Sequence, residues 1–277
     1  MGVRMMHLLA GSLGALRYEP TAKRIRVFLA GEPVADTMAA RLVWEPRRVV
    51  PAYAVPTTSV RRHLMPAGAE SGDTDAGFRL PDVSDRPILD PSVPFAVHTC
   101  AGTVFDVIAG DETAGRAAFA PDDADLAGYV VLEFDAFEWR EEDEPIVSHP
   151  HDPFGRIDVL HSSRHVRVEH DGVLLAESSR PVLLFETLLP VRFYLPRADI
   201  AVALVSSDTV SYCAYKGRAS YFSVENGPRD VAWTYHAPLH DAELVRDHIC
   251  FFDERVDVIV DGERRPRPVT PWADPPH

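Results

Sequence analysis

The second half of the chain alternates apolar and polar residues in short runs that are separated by turn residues. Residues 165–170 alternate in this way, and Asp171 and Gly172 then form a pair typical of a two-residue hairpin turn. Residues 181–186 and 191–195 are rich in Val, Leu, Phe and Tyr and lie beside prolines, which cannot continue a strand ladder. The pattern predicts short antiparallel strands with little helix.

The same periodicity predicts further strands and one helix toward the end of the chain. Ile200, Ala203 and Leu204 have helical spacing, which predicts a short helix within 196–206. The other predicted elements are a hairpin of 210–215 and 218–224 across Lys216-Gly217, a strand at 231–235, and a hairpin of 249–252 and 256–260 across 253–255.

The alternating pattern is present twice, because the sequence matches itself at an offset of 141 positions. Without a gap, this offset places Arg26, Val27, Gly31, Ala35 and Glu45 on Arg167, Val168, Gly172, Ala176 and Glu186. After a one-residue slip, Pro56 falls on Pro196 and Leu64 on Leu204. We interpret the match as a tandem duplication. The predicted fold class is therefore mainly β, with two tandem domains of small antiparallel sheets and one or two short helices in each.

Composition shifts divide the chain into five predicted parts. They are an N-terminal arm at 1–20, a degenerate first copy at 21–140, an acidic and His/Pro-rich linker at 141–160, a second copy at 161–262 and a Pro-rich tail at 263–277. The tail should lack regular structure. Residues 66–94 interrupt the first copy and are rich in Gly, Asp, Ser and Pro, which predicts a long mobile loop.

The formal net charge of −14 narrows the classes of partner that we expect this protein to bind. It repels phosphate backbones and anionic lipid, and no cluster of basic residues offsets it, so nucleic acid and membrane surfaces are not expected to bind. A small molecule or a protein is expected instead, and a homo-oligomer is compatible with the charge. No run of 18 apolar residues predicts a membrane span.

The three cysteines are too few for a disulfide framework in a chain of 277 residues, and they predict a reducing cytoplasm. Residues 1–16 resemble a weak signal peptide, since an arginine precedes an apolar stretch. His7 interrupts that stretch, and no small-residue cleavage site follows it. We therefore favour a cytoplasmic protein with an N-terminal arm.

Glu186, Cys213 and Lys216 are the candidate catalytic residues. Glu186 ends an apolar strand, where partial desolvation would suit a carboxylate to proton transfer, although it could equally anchor the next loop. An ammonium within reach of a thiol favours the reactive thiolate, so Lys216 could activate Cys213. The three-residue spacing brings the two side chains together only if the chain turns between them. The alternatives are a core cysteine and a solvated turn lysine.

The candidate substrate-binding residues are aromatic and basic: Arg192, Tyr194, Tyr221, Trp233 and Tyr235. Arg192 and Tyr194 share strand parity, as do Trp233 and Tyr235, so each pair points to one side of a sheet. A wall of rings with a guanidinium and an ammonium suits a planar or carboxylate-bearing molecule. Alternatively, Trp233 and Tyr221 fill the core between two sheets.

Histidines cluster around the predicted linker without the spacing of a structural zinc site: His149, His151, His161, His165 and His170. We therefore expect no metal and no cofactor. The chain also has no Gly-rich phosphate loop, no G-x-S-x-G elbow and no H-E-x-x-H motif.

Several motifs of the second copy together resemble the domain-of-unknown-function family 427, which also carries a nucleotidyltransferase-like label. They are Ala176-Glu177-Ser178, Leu184-Phe185-Glu186, Phe193-Tyr194-Leu195-Pro196, Cys213-Ala214-Tyr215-Lys216-Gly217, Ala232-Trp233-Thr234-Tyr235 with Pro238, and Phe252-Asp253. The family usually has proline where this chain has Ala214. The resemblance implies two antiparallel sheets, similar to the β-tent of methionine sulfoxide reductase B, and it implies no particular reaction.

The sequence favours a small-molecule pocket in the second copy, acting on a small anionic or carbonyl-bearing metabolite. Lys216 and Arg192 would orient the substrate, Glu186 would move a proton and Cys213 would be the nucleophile or a hydrogen-bond donor. The first copy offers His98-Thr99-Cys100 without the lysine, so we expect the site to be confined to the second copy. A non-catalytic metabolite sensor and a structural or protein-interaction role are the alternatives.

Overall fold

The chain forms two compact units in this computed structural model, Met1–Asp152 (unit 1) and Pro153–His277 (unit 2). The structure describes residues 2–60, 63–70, 72, 74–80, 84 and 86–273, except for the side chains of Met6 and His63. The boundary between the units falls inside the predicted linker at 141–160. Both units consist mainly of antiparallel strands, as predicted.

Unit 1 begins with the helix α1 (Met5–Ser12) and continues in two sheets. Its described strands are β1 (Arg17–Pro20), β2 (Ile25–Leu29), β3 (Glu32–Thr37), β4 (Arg41–Trp44), β5 (Ala52–Pro56), β6 (His63–Glu70), β7 (Gly102–Ala109), β8 (Glu112–Pro121), β9 (Tyr129–Leu132), β10 (Glu138–Glu141) and β11 (Glu144–Ile146). The larger sheet has the order β1-β4-β5-β9-β8-β7-β6, and the smaller has the order β11-β10-β2-β3. Short 3-10 turns occur at Thr57–Ser59 and Phe134–Ala136.

Unit 2 has the same arrangement of strands. They are β12 (Ile157–His161), β13 (Val166–His170), β14 (Val173–Ser178), β15 (Val182–Glu186), β16 (Arg192–Leu195), β17 (Leu204–Cys213), β18 (Gly217–Val224), β19 (Ala232–Thr234), β20 (Ile249–Phe251), β21 (Asp257–Val260) and β22 (Glu263–Arg264). The larger sheet has the order β12-β15-β16-β20-β19-β18-β17, and the smaller has the order β14-β13-β21-β22. Its 3-10 turns are Arg197–Asp199 and His240–Val245.

Each strand of unit 1 therefore has a counterpart eleven strands later, in the same place in the sheet. The hairpins agree in detail, because Gly31 and Gly172 each have φ of +78° and close equivalent turns between β2 and β3 and between β13 and β14. An isolated bridge joins Ala35 to Val60 in unit 1, and its counterpart joins Ala176 to Ile200 in unit 2. The duplication stays an interpretation, and this shared strand order favours it.

The larger sheet of unit 2 is apolar on both faces. Its inner face shares a core with the smaller sheet through residues such as Val168, Leu195, Phe222, Phe251 and Val258. Its outer face carries a second cluster, which includes Leu184, Tyr194, Trp233, Tyr235 and Phe252 and is covered in part by Ala242 and Val245 of the His240–Val245 turn. Successive residues of a strand point to opposite faces, so Ala232 joins the inner core and Trp233 the outer cluster.

Two predicted elements of unit 2 are wrong. Residues 249–252 and 256–260 do not form a hairpin, because β20 pairs with β16 and β19 of the larger sheet while β21 pairs with β13 of the smaller one. The helix predicted within 196–206 is only the 3-10 turn Arg197–Asp199, and Leu204 already begins β17. In both places the local pattern was compatible with two structures, and long-range strand pairing selected between them.

The predicted arm, tail and mobile loop all contain regular structure. The arm at 1–20 contains α1 and also β1, which pairs with β4. The tail at 263–277 begins with β22. Of the predicted mobile loop at 66–94, the described part extends β6 and pairs Phe78 with Ile88, and Leu89 is fully buried. In the loop, the apolar side chains of Ile88 and Leu89 are buried in unit 1, which composition could not show. The rest of that loop, residues 71, 73, 81–83 and 85, lies outside the described residues.

Candidate functional site

The candidate site of unit 2 is built on the end of β15 and on the turn between β17 and β18. Glu186 is the last residue of β15. Cys213 ends β17 and pairs with Gly217 at the start of β18, so residues 214–216 form the turn. Gly217 has φ of +87°, which glycine adopts without strain. Because the chain reverses here, Cys213 and Lys216 meet instead of pointing to opposite faces of one strand.

Lys216 is buried and is held by two of the predicted catalytic residues. Its Nζ lies 2.5 Å from Oε2 of Glu186, and Cys213 also acts on it electrostatically. Burial alone would lower the pKa of Lys216, but the carboxylate of Glu186 and the sulfur of Cys213 together raise it above its ordinary value. Lys216 is therefore a buried ammonium that is 8% exposed, and the alternative of a solvated turn residue is wrong.

Aromatic side chains of the outer cluster form the wall beside this group. Trp233 Nε1 donates a hydrogen bond of 3.1 Å to the hydroxyl of Tyr194, and the two rings meet edge to face. The ring of Tyr235 lies 6.5 Å from that of Tyr194, centroid to centroid. Burial raises the pKa of both tyrosines well above its ordinary value, so both are neutral phenols.

The hydroxyl of Tyr235 is buried without a hydrogen-bond partner among the described residues, although the residue is only 4% exposed. Burial raises its pKa, and the acidic groups of Tyr194, Cys213, Glu186 and Tyr221 raise it further. An unsatisfied buried hydroxyl is uncommon and costs about 1–3 kcal/mol, so it calls for an explanation.

The rim of the site is more polar and partly accessible. The hydroxyls of Ser211 and Tyr221 lie 2.8 Å apart across β17 and β18. Cys213 and Tyr221 are half-buried, and the side chain of Glu186 is 18% exposed. The group around Lys216 therefore reaches solvent on the side of these three residues.

Arg192 lies at the far side of Trp233 and binds protein carboxylates instead of facing the site. Its two terminal nitrogens lie 2.9 and 2.6 Å from the carboxylate oxygens of Glu254, and its guanidinium lies 5.5 Å from the centroid of the Trp233 ring. Asp253 lies 3.8 Å away. Glu254 already fills the guanidinium fork, so this geometry does not favour the prediction that Arg192 orients a substrate, which stays a prediction.

The pair of Arg192 and Glu254 stabilises both charges in the interior. Burial alone would raise the pKa of Glu254, but the hydrogen bonds from Arg192 outweigh it and the pKa is lowered. Thr270 of the predicted tail also donates to Glu254, at 2.5 Å. By contrast, burial raises the pKa of Asp253 to about 7, since Arg192 opposes this effect only in part.

The described residues offer little further chemistry outside this site. No group of three or more His, Cys, Asp or Glu side chains converges as a metal site would, and no helix is long and apolar enough to cross a membrane. A cleft of about 400 Å³ in unit 2 is lined by none of the predicted site residues: it is formed by Arg164, Val260, Asp261, Glu263, Arg264, Arg265 and Pro266.

Unit 1 has a different group at the equivalent place, which sequence reasoning missed. Glu45 directly follows β4, as Glu186 ends β15. Its Oε1 lies 2.8 Å from Nδ1 of His98, and its Oε2 accepts the backbone N–H of Thr99 at 2.6 Å. The sulfur of Cys100 lies 3.8 Å from Oε2. Desolvation and the nearby carboxylate raise the pKa of Cys100, so this thiol is protonated.

The strand register explains why the comparison of the copies overlooked His98. Val104 pairs with Phe119 in unit 1 as Tyr221 pairs with Trp233 in unit 2. Five residues earlier, Thr99 is therefore the counterpart of Lys216, and Cys100 is the counterpart of Gly217 instead of Cys213. The sequence did contain one indication of this contact, a histidine four residues before β7. The pairing of β7 within the larger sheet returns this segment to Glu45.

Comparison with known families gives one result. Residues 158–262 match the model of a family described as a domain of unknown function (DUF427). Unit 2 carries a DUF427 domain. The resemblance found in the sequence is thus confirmed, and all eight predicted site residues lie in the matched region. None of the curated proteins compared with this chain matches it.

Proposed function

We propose that the DUF427 domain binds a small carbonyl-bearing metabolite beside Lys216 and acts on it. The observation that carries the proposal is the hydroxyl of Tyr235, which is buried without a partner among the described residues, in the same outer cluster as Tyr194 and Trp233. A ligand atom that accepts a hydrogen bond would satisfy this hydroxyl. The three free cysteines and the acidic charge of the chain motivate a cytoplasmic location as part of the proposal.

The charges of the site favour a neutral carbonyl over a free anion. Lys216 is already paired with Glu186 at 2.5 Å, so the pair carries no net charge, and the carboxylate would repel an incoming anion. The ammonium of Lys216 and the phenol of Tyr235 still have hydrogens to donate. Two donors directed at one oxygen would stabilise the negative charge that develops when a carbonyl is attacked.

Cys213 supplies the nucleophile in this proposal. Its thiol loses a proton to Glu186, the sulfur bonds to the carbonyl carbon, and the π electrons of the carbonyl move to the oxygen held by Lys216 and Tyr235. Return of the proton to that oxygen gives a neutral thiohemiacetal. The addition needs neither an oxidant nor a metal, and its atoms and charges balance. Whatever follows it depends on the metabolite.

The proposal is tested by native mass spectrometry of the purified full-length protein, followed by assays against a panel of small aldehydes and ketones. We expect a retained metabolite or a thiol adduct whose mass change maps to Cys213 in peptide analysis. Cys213→Ser should abolish the adduct, whereas Cys250→Ser should not, since Cys250 is fully buried in the outer cluster. An adduct that persists in Cys213→Ser, or no ligand in either experiment, would contradict the proposal.

A non-catalytic sensor that uses the same pocket is the second candidate, because every charge of the site is already paired within the protein. Tyr235→Phe and Cys213→Ser separate the two candidates. A sensor loses affinity in Tyr235→Phe but not in Cys213→Ser, whereas an enzyme loses turnover in Cys213→Ser while it still binds the metabolite. A purely structural role predicts no ligand with either variant.

A further inference from the structure

His98 of unit 1 has one ring nitrogen that the protein does not satisfy. Its side chain is 4% exposed, and Nδ1 is bound to Glu45 at 2.8 Å. Among the residues that the structure describes, Nε2 has no hydrogen-bond partner. A polar atom that is left unpaired at this depth lowers stability unless a ligand or water pairs with it.

The partners of Glu45 determine which tautomer His98 adopts. Oε2 of Glu45 accepts the backbone N–H of Thr99 at 2.6 Å, and the positive charge of the buried Arg48 acts on the same carboxylate. A carboxylate held in this way accepts the Nδ1–H of the imidazole, so in the neutral ring the lone pair is on Nε2. His98 therefore presents a buried acceptor, not a donor.

No residue that the structure describes donates a hydrogen bond to that acceptor. Its ring stacks on Phe119, with centroids 3.7 Å apart and planes 10° from parallel. By strand register, Ala54 and Pro121 occupy the positions that Tyr194 and Tyr235 hold in unit 2. The two phenols of the DUF427 site are thus replaced by side chains that cannot donate.

We propose that unit 1 contains a second small-molecule site, in which Nε2 of His98 accepts a hydrogen bond from the hydroxyl of an uncharged alcohol or phenol. The ligand is uncharged because Glu45 and Arg48 already balance each other in an apolar setting, where an additional charge would be costly to desolvate. Glu45 is a positioning residue that holds the imidazole. This inference does not depend on the function proposed for unit 2.

The experiment uses the full chain labelled with nitrogen-15 at histidine, phenol as the probe, and long-range proton–nitrogen NMR. We expect the spectrum to show Nδ1 protonated in His98, and the Nε2 resonance to move upfield in a saturable manner as phenol is added. A second variant, His98→Phe, keeps a ring against Phe119 but removes the acceptor. It should bind phenol at least about tenfold more weakly in calorimetry, which is about 1.4 kcal/mol.

Tyr235→Phe is the matched control, because it removes a hydroxyl from unit 2 and leaves unit 1 unchanged. The response of His98 to phenol should be the same in this variant, so a failure of the function proposed for unit 2 would not affect the result. An Nε2 resonance that does not move at millimolar phenol, or the opposite tautomer, would overturn the inference and leave a water-filled site. A response that disappears in Tyr235→Phe would overturn it too.

Discussion

The two units place a glutamate at the same point of the same sheet and surround it with opposite chemistry. In unit 2, Glu186 meets an ammonium, and a phenol beside it has a hydrogen to donate. In unit 1, Glu45 meets an imidazole whose remaining nitrogen has no hydrogen-bond partner among the described residues and is proposed to accept. The backbone of both units is alike, so the difference comes from the few side chains that face each glutamate. A common scaffold can therefore present a donor site and an acceptor site.

The outer faces of the two larger sheets differ for a related reason. Unit 2 fills this face with Tyr194 and Tyr235, which are bulky and carry hydroxyls, whereas unit 1 has Ala54 and Pro121 at these positions. In unit 1 apolar side chains from the segment before β7, such as Phe95, join the core instead. The comparison shows that the long insertion of unit 1 contributes to its packing.

The two units differ most strongly at Arg192, whose counterpart in unit 1 is Ala52. Arg192→Met should destabilise unit 2 by about 3–5 kcal/mol, because it leaves the carboxylate of Glu254 buried without its cation. Urea unfolding, followed by hydrogen exchange in each unit, measures the effect. Arg192→Met combined with Glu254→Gln is the control and should recover much of the loss. An unchanged unfolding midpoint of unit 2 in the single variant would contradict the role assigned to this pair.

Asp253 should make the stability of unit 2 depend on pH, whereas its counterpart in unit 1, Phe134, does not titrate. Burial raises the pKa of Asp253 from an ordinary 3.8 to about 7, so the folded state binds this proton more tightly than the unfolded chain does. The stabilisation is complete below about pH 4 and is lost as the pH rises through about 7, by on the order of 4 kcal/mol.

Unfolding of unit 2 at a series of pH values measures this dependence. Asp253→Asn removes the titrating group and should flatten the curve between about pH 4 and 7. Glu243→Gln is a matched control on the surface of unit 2, since this carboxylate pairs only with exposed Arg246. A curve for Asp253→Asn that keeps the slope of the parent protein would assign the dependence to another group.

Replacing the pair of Lys216 and Glu186 tests whether the glutamate of unit 2 has a role in binding or turnover. Lys216→Met together with Glu186→Gln avoids leaving one charge unpaired and should keep the fold, while it weakens ligand binding or turnover by about tenfold, roughly 1.4 kcal/mol. Iodoacetamide should also alkylate Cys213 more slowly at neutral pH, because the thiolate loses its cation.

Peptide mapping after timed alkylation measures the rate at Cys213 and, in the same sample, at Cys100 of unit 1. Cys100 has a protonated thiol beside Glu45, so it should react slowly in the parent protein and in the double variant alike, and it provides the internal control. If the rate at Cys213 and the ligand affinity both stay unchanged, Lys216 has only a structural role.

The smallest expected effects are those of two tyrosine hydroxyls, and they have opposite signs. Tyr235→Phe removes a buried hydroxyl without a partner among the described residues, so it should leave the ligand-free stability unchanged or raise it by up to about 1 kcal/mol. Tyr53→Phe removes a hydrogen bond of 2.9 Å to Glu141 in unit 1 and should cost about 1 kcal/mol. Thermal unfolding compares them, and a loss in Tyr235→Phe equal to that in Tyr53→Phe would reveal a partner for Tyr235.

Sequence pattern alone predicted most strands of unit 2 and the hairpin turn at Gly172, because these features depend on the alternation of side chains and on local backbone conformation. It also predicted that Cys213 and Lys216 come together only if the chain turns between them, and the chain does turn there. The match to the DUF427 family was visible from the same motifs.

Tertiary structure alone decided which partners the charged and polar side chains found. The pairing of Arg192 with Glu254 joins residues 62 positions apart, and that of Glu45 with His98 joins residues 53 apart. No periodicity within a strand reports such contacts, since they depend on which strands become neighbours. The same reason explains why 249–260 was predicted as one hairpin although its two strands belong to different sheets: local propensity describes a strand, and only long-range packing selects its neighbour.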